Sequence, residues 1–317
     1  MAFETVEVVD PATRRVRLGA DATWGEVAQN LAPRGWAISS GDHGGAGGLA
    51  TTGGIGLLGR AYGLTIDHVV AAQVVTADGR ILHASPKENP DLFWGLRGAG
   101  GNLGVVTWTE IEAMEPGNVV FSQMALDARD TAGLLQRWDT AMEKAPRKLT
   151  SFLTLSPARR GRDAVAQLLS VYAGDDTTAA VKQLERLAEA GPLLDHQGYV
   201  LPYSCVVQPG DKHYTGGGDP TVRSGLVTHL DDKVTHAFET IAHSGLSYFM
   251  QIRATGGAAH DLGPGATAYP PPPPELPAHR HGRHPGRARR HMGRRSRPAH
   301  RRPLPVLRHR HPARMPP

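Results

Sequence analysis

Between residues 39 and 56 the chain runs Ser39-Ser40-Gly41-Asp42-His43-Gly44-Gly45-Ala46-Gly47-Gly48-Leu49-Ala50-Thr51-Thr52-Gly53-Gly54-Ile55-Gly56. Glycines at this density, with small hydroxyl residues among them, strip the backbone of side chains so that a large ligand can lie against its N–H groups. The chemistry this points to is the holding of a phosphate-bearing cofactor by main-chain donors. A flexible linker would share the glycines but not the ordered apolar positions Leu49, Ile55, Leu57 and Leu58. Gly54-Ile55-Gly56-Leu57-Leu58-Gly59 also matches G-x-G-x-x-G, with Asp78 following at a suitable distance. A nicotinamide-type dinucleotide fold needs a buried strand directly before the first glycine. Here Thr51, Thr52 and more glycines precede it, and Asp78 sits in the turn Ala77-Asp78-Gly79-Arg80, so that reading is rejected.

The elements that must position this stretch are short. Residues 5–9 and 15–18 read as strands joined by a turn at Asp10-Pro11. Asp21 or Thr23 opens a helix through Trp24, Val27, Ala28 and Leu31, which Pro33 and Gly35 end. Residues 69–76 and 81–84 form a hairpin about Asp78-Gly79. A capped helix over residues 88–94 then leads into a second glycine cluster, residues 97–104, continued by a strand at 105–108. Two glycine-rich segments, each feeding apolar elements, could grip one extended ligand from two sides.

From Val119 the pattern alternates. Residues 120–126, 151–155, 165–172 and 248–253 read as strands; residues 131–144, 177–190 and 232–243 read as helices, the last two capped by Asp176 and by Asp231 or Asp232. Strand alternation sends Phe249, Gln251 and Arg253 to one face.

A chain of 317 residues with 40% hydrophobic content suits two domains with real cores. Its one cysteine, Cys205, excludes a disulfide framework and a Cys-based zinc site, and is expected to be a small buried hydrophobe. The scattered histidines before the C-terminal region, such as His229 and His236, show no paired ligand spacing, so no metal is expected. No apolar run reaches membrane-spanning length, and no secretory signal is visible, which makes the cytoplasm the expected compartment. The net charge of +5 divides into +12 for residues 275–317 and −7 for the rest. A basic character that could suit nucleic acid therefore belongs to that region alone, and nucleic acid is not the expected partner.

Seven blocks occur in a telling order: Asp10-Pro11 with Arg15-Val16, Ala22-Thr23-Trp24-Gly25-Glu26, Gly53-Gly54-Ile55-Gly56, Tyr62-Gly63-Leu64, Val75-Thr76-Ala77-Asp78-Gly79, Glu88-Asn89-Pro90-Asp91-Leu92-Phe93-Trp94, and residues 97–107. In this order they resemble the FAD-linked oxidases of the berberine bridge enzyme-like group, within the vanillyl-alcohol oxidase superfamily, which carry a PCMH-type FAD-binding domain. The resemblance is dense from Val8 to about Pro116 and looser to about Tyr269. It implies an α+β fold: the C-terminal part of such a domain over residues 1–117, then an incomplete substrate domain over 118–269 with an antiparallel sheet and helices. Residues 270–317, rich in Pro, Arg and His, are expected to be disordered. A shifted reading frame in a GC-rich gene after Tyr269 would account for their composition.

The resemblance also places site residues. Ser39, Ser40, Gly41, Asp42, Gly45, Gly47, Gly48 and Leu49 match the segment that wraps the FAD pyrophosphate and flanks the flavin. Gly53 and Gly54 match close-approach glycines, and Val106 and Thr107 match the strand whose backbone meets the far end of the cofactor. Gln251 and Arg253 become candidates for touching substrate from the sheet that roofs the flavin; the alternative, that they line a solvated sheet face, stays open. Some family members attach flavin through a cysteine in the loop matching residues 40–44, which is absent here. Others use a histidine in an earlier loop, which would precede Met1; His43 lies in the wrong loop to replace it. The implied activity is hydride transfer from a small alcohol, sugar or amine-type substrate to flavin and then to molecular oxygen, with no catalytic base assigned. Two other readings remain: an inactive remnant with partial or no FAD binding, and a nucleic-acid-associated protein acting through the Arg-rich region.

Overall fold

A computed structural model describes residues 5–40, 45–159, 161–207, 220–263, 265–269 and 277–283, the last segment by its backbone. Two antiparallel sheets carry it. The first half supplies β1 (Val6–Asp10), β2 (Arg15–Gly19), α1 (Trp24–Leu31), α2 (Ala46–Thr52), α3 (Gly59–Tyr62), β3 (Val69–Val75), β4 (Ile81–Ala84), α4 (Pro90–Leu96) and β5 (Val105–Glu112). Its five strands lie in the order β1-β2-β5-β3-β4.

Local chemistry explains most of these boundaries. Thr23 and Glu26 form a reciprocal capping box: the Glu26 N–H donates to Thr23 Oγ1 at 3.3 Å and the Thr23 N–H to Glu26 Oε2 at 2.9 Å. Gly35 closes the following turn in the left-handed region, where a side chain would be strained. In the β3–β4 hairpin Gly79 has φ 81°, and Asp78 accepts from Thr76 Oγ1 and Arg80, so this acid is a turn residue.

The second half supplies β6 (Asn118–Asp127), α5 (Thr131–Glu143), β7 (Leu149–Ser156), β8 (Val165–Ala173), α6 (Thr177–Ala188), β9 (Leu193–Pro202), β10 (Pro220–Leu226), α7 (Asp232–His243), β11 (Ser247–Arg253) and β12 (Pro277–Arg283). Asp130, Asp176 and Asp231 cap the three helices by accepting from backbone N–H groups three residues on. The strand order is β10-β12-β11-β7-β8-β6-β9. Pro277–Arg283, which composition assigns to a disordered tail, form β12 between β10 and β11. Two strand edges otherwise left with unpaired N–H and C=O groups supply the reason, since ladder bonds need backbone rather than apolar side chains. The remaining residues of 270–317 lie outside the described ones.

Each face of the second sheet has its own role. Leu126, Leu153, Leu155, Leu168, Met250 and Ile252 point to the helices and form a core with Trp138, Leu184 and Phe238. On the other face Phe152 and Val171 join the core of the first half, with Leu58, Ile66 and Tyr203. Arg60 of α3 crosses between the halves, donating to the carbonyls of Leu149 at 2.8 Å, Ala145 at 3.1 Å and Thr255. Cys205, expected in a core, is exposed in a short turn.

Candidate functional site

The glycine-rich stretch is less of a loop than its composition suggests. After Gly45, Ala46–Thr52 turn into α2, with Ala46 and Ala50 buried. Two interior glycines cost such a helix roughly 1 kcal/mol each in propensity. The compensation is close approach: a Cβ on Gly47 would come 2.6 Å from the Ala20 carbonyl oxygen. Ala20 itself donates to the Thr107 carbonyl at 3.0 Å, so β5 and the glycine helix meet around one residue.

Gly53 and Gly54 turn the chain out of α2 with φ 131° and 83°. Their carbonyls accept from the N–H groups of Ile66 and Thr65, and a Cβ on Gly54 would collide with the Thr65 side chain. One on Gly53 would meet the Tyr269 ring at 2.6 Å, and one on Gly56 would strike the Ser40 backbone. These three glycines thus admit the chain's own atoms.

The second glycine cluster lies against the first. The Gly98 N–H donates to the Thr51 carbonyl at 3.0 Å, and a Cβ on Gly100 would come 3.1 Å from the Thr52 methyl. Between the clusters runs a segment ending at Tyr269: Trp94 Nε1 donates to the Gly265 carbonyl at 2.7 Å, Arg97 Nη2 to Ala266 at 2.9 Å, and the Tyr269 N–H to Arg97 at 3.1 Å. Burial pushes the Tyr269 phenol up, helped by the charge of Asp67. Burial likewise raises the Asp67 carboxyl, although it accepts from the Leu64 N–H at 2.7 Å. Neither residue was singled out by sequence. The only local signal for Asp67 is its place three residues after Leu64, where it closes a turn.

Of the candidate residues, Ser39, Ser40, Gly45, Gly47, Gly48, Leu49, Gly53 and Gly54 fall in this one region. Thr107 joins them through Ala20, and its hydroxyl donates to Gln73 Oε1 at 2.8 Å; Val106 packs against the first core. Gly41 and Asp42, with His43, lie outside the described residues. Gln251 and Arg253 share one face of β11 beside a cleft of about 340 Å³ lined by Gln123, Thr154, Gln167, Asp195, Gln197 and Gln251. Arg253 does not line it: Arg253 donates to Ile55 and Gln251 and stacks 4.6 Å over the Phe152 ring. A larger groove, about 520 Å³, lies in the helix layer between α5 and α6, on the other side of the sheet. Among the described residues no group of His, Cys, Asp or Glu could hold a metal ion, and no helix is long and apolar enough to cross a membrane.

Residues 1–85 match the family described as FAD binding domain. The chain is 39% identical over 132 residues to (R)-6-hydroxynicotine oxidase of Paenarthrobacter nicotinovorans, covering 40% of this chain and 29% of that protein. It is 34% identical over 141 residues to xylooligosaccharide oxidase of Thermothelomyces thermophilus, covering 43% and 28%. A solved chitooligosaccharide oxidase superposes with a TM-score of 0.74 at 25% identity, over 88% of this chain and 63% of that one. The first 85 residues are thus similar to FAD binding domains, and the relatives matched are named as oxidases. Berberine bridge enzyme from Eschscholzia californica shares the fold at 19% identity, with a TM-score of 0.74 over 88% of this chain and 59% of that one. The chain spans less than a third of the length of the curated relatives it matches.

The Ser39 hydroxyl is fully buried and has no hydrogen-bond partner among the described residues. A buried hydroxyl left so is costly, and a polar ligand atom would satisfy it. At Gly48 and Gly101 the space a Cβ would face is open, unlike that at Gly47 or Gly54. An unspent hydroxyl and open glycine backbone in two adjoining segments fit a polar, phosphate-bearing ligand.

Proposed function

We propose that this protein seats FAD along the glycine-rich segment that begins at Ser39 and oxidises a small hydroxylated or amine-bearing molecule held against the second sheet. Ser39, Ser40 and the backbone of Gly45, Gly47 and Gly48 would hold the diphosphate side, with Gly53, Gly54, Val106 and Thr107 bounding the rest. FAD, when bound, supplies the hydride-accepting ring and the route for two electrons to molecular oxygen.

The chain's own contribution is placement. Four glutamine amides and a threonine hydroxyl in the cleft offer donors and acceptors without net charge, which suits a ligand rich in hydroxyls; Asp195 adds one acceptor for an ammonium or hydroxyl group. The floor of the same sheet face, through Phe152 and Leu169, packs on the first half and keeps water from the join. Alcohol, sugar and amine substrates all meet these requirements, and the relatives' names include oxidases of oligosaccharides and of 6-hydroxynicotine.

The observation that carries this reading is the meeting of the two glycine-rich segments, where the Gly98 N–H donates to the Thr51 carbonyl. Its test is the visible absorbance of the purified chain after incubation with FAD and removal of free ligand. A retained flavin spectrum near one equivalent supports it; a colourless protein refutes it and leaves the remnant.

A further inference from the structure

The cleft against the second sheet has a direction. Strand register sets Gln251 of β11 opposite Thr154 of β7, Thr154 opposite Gln167 of β8, Gln167 opposite Ala125 of β6, and Ala125 opposite Asp195 of β9. All five line the cleft, so it crosses five adjacent strands, a span of about 19 Å at roughly 4.8 Å per strand spacing. Its two ends differ in hydrogen-bonding sense. At the β11 end Arg253 Nε donates to Gln251 Oε1 at 2.8 Å. A guanidinium has donors only, so the amide oxygen faces it and the amide nitrogen turns the other way. That nitrogen gives one N–H to Thr154 Oγ1 at 3.3 Å and keeps a second, while Thr154, accepting there, keeps its own hydroxyl hydrogen. The β11 end thus offers N–H and O–H groups. At the β9 end Asp195 can only accept: Oδ1 takes the His196 N–H at 2.8 Å, and Oδ2 is left for another donor. Among the described residues that line the cleft, Asp195 alone carries a charge. The bonds that orient both ends run within the chain, so this polarity is a fixed feature of the fold.

Resting on the reading of this cleft as the substrate site, we propose that it selects an extended, polyhydroxylated molecule carrying an ammonium group, seated with the ammonium at Asp195 and acceptor oxygens at Gln251 and Thr154. A neutral chain of hydroxyls can lie in either direction, because each hydroxyl both donates and accepts. An ammonium has only donors. It finds N–H and O–H groups at the β11 end and a carboxylate at the β9 end, where the charge-assisted bond is about twice as strong as a neutral one. Gln123 and Gln197, paired two residues along from Ala125 and Asp195, serve the hydroxyls beside it in either sense. Asp195 is exposed, so the gain is a few-fold in affinity, the size of a surface ion pair.

The experiment uses the full chain incubated with FAD and calorimetric titration with two probes of equal ring number, cellotriose and its aminoethyl glycoside. The expected result at low salt is the aminoethyl glycoside bound about fivefold more tightly, with the margin closing as salt is added. Asp195→Asn keeps an acceptor for the His196 N–H and brings the ratio of the two affinities to about one. Thr154→Val removes the hydroxyl at the opposite end, weakens both probes alike and leaves the ratio as it was. Equal affinity for the two probes in the unaltered chain, or a preference that survives in Asp195→Asn, overturns the seating and leaves the cleft as substrate site. Binding of neither probe overturns seating and cleft together. Flavin absorbance of the same samples judges the FAD seat separately, since the titrations are read in the same way whether or not flavin is retained.

Discussion

A hydroxyl and a carboxyl, both buried near the glycine segments, give opposite kinds of prediction. The Ser39 hydroxyl has no partner among the described residues. Replacing it with alanine removes an unmet hydrogen-bonding group, so Ser39→Ala should gain about 1 kcal/mol of stability without cofactor. The same variant should bind FAD more weakly, and thermal melts with and without FAD would display both effects. Asp67 works through its proton. Burial raises its folded-state pKa above the ordinary aspartate value of about 4. A carboxyl raised in this way holds its proton more tightly when folded, so its contribution is complete below the unfolded value. It declines as pH climbs through the folded one. Urea denaturation between pH 4 and 8 should therefore show Asp67→Asn losing less stability with rising pH than the unaltered chain does, while keeping the acceptor for Leu64.

At the level of single elements, α1 and α2 stand at two ends of what a sequence discloses. Thr23, Trp24 and Glu26 announce α1 by cap and apolar stripe, and Thr23→Ala should cost about 1 kcal/mol through loss of the reciprocal cap. Nothing in Ala46-Gly47-Gly48-Leu49 announces a helix, because its stability comes from lying on Ala20, a neighbour twenty-seven positions away from Gly47 that no local pattern contains. Gly47→Ala should push α2 off that carbonyl and lose FAD binding together with stability, observable as a lowered melting temperature and a colourless protein. The same reason hid β12 and the docking of Tyr269. Pairing partners and ring-to-glycine contacts are long-range facts, whereas caps, hairpin turns and strand alternation are written within a few residues. The β3–β4 hairpin and the aspartate caps of α6 and α7 were legible for that reason. Gln251 and Arg253 were legible as sharing a face; that only Gln251 reaches the cleft depends on where Ile55 lies.

For the whole molecule, Arg60 is the main polar tie between the halves. Arg60→Met would leave the carbonyls of Ala145, Leu149 and Thr255 without their donor. At about 1–3 kcal/mol for each buried group so orphaned, the loss should reach roughly 3 kcal/mol or more. Chemical denaturation followed by tryptophan fluorescence should then resolve into two transitions, since Trp24 and Trp138 report separate cores. A single unshifted transition would show that the apolar contacts around Phe152 suffice alone.

The strand orders carry a cost in time. Arg15 pairs with Glu112 in the first sheet, and Leu155 with Met250 in the second. Long stretches of chain must be closed into rings before these ladders return any energy, which makes folding slow. During synthesis β2 and β7 emerge well ahead of β5 and β11, and each waits with one flank bare. The yield of native protein in a cell should therefore depend on temperature and on helper proteins that shield those flanks, more than on the finished molecule's resistance to heat.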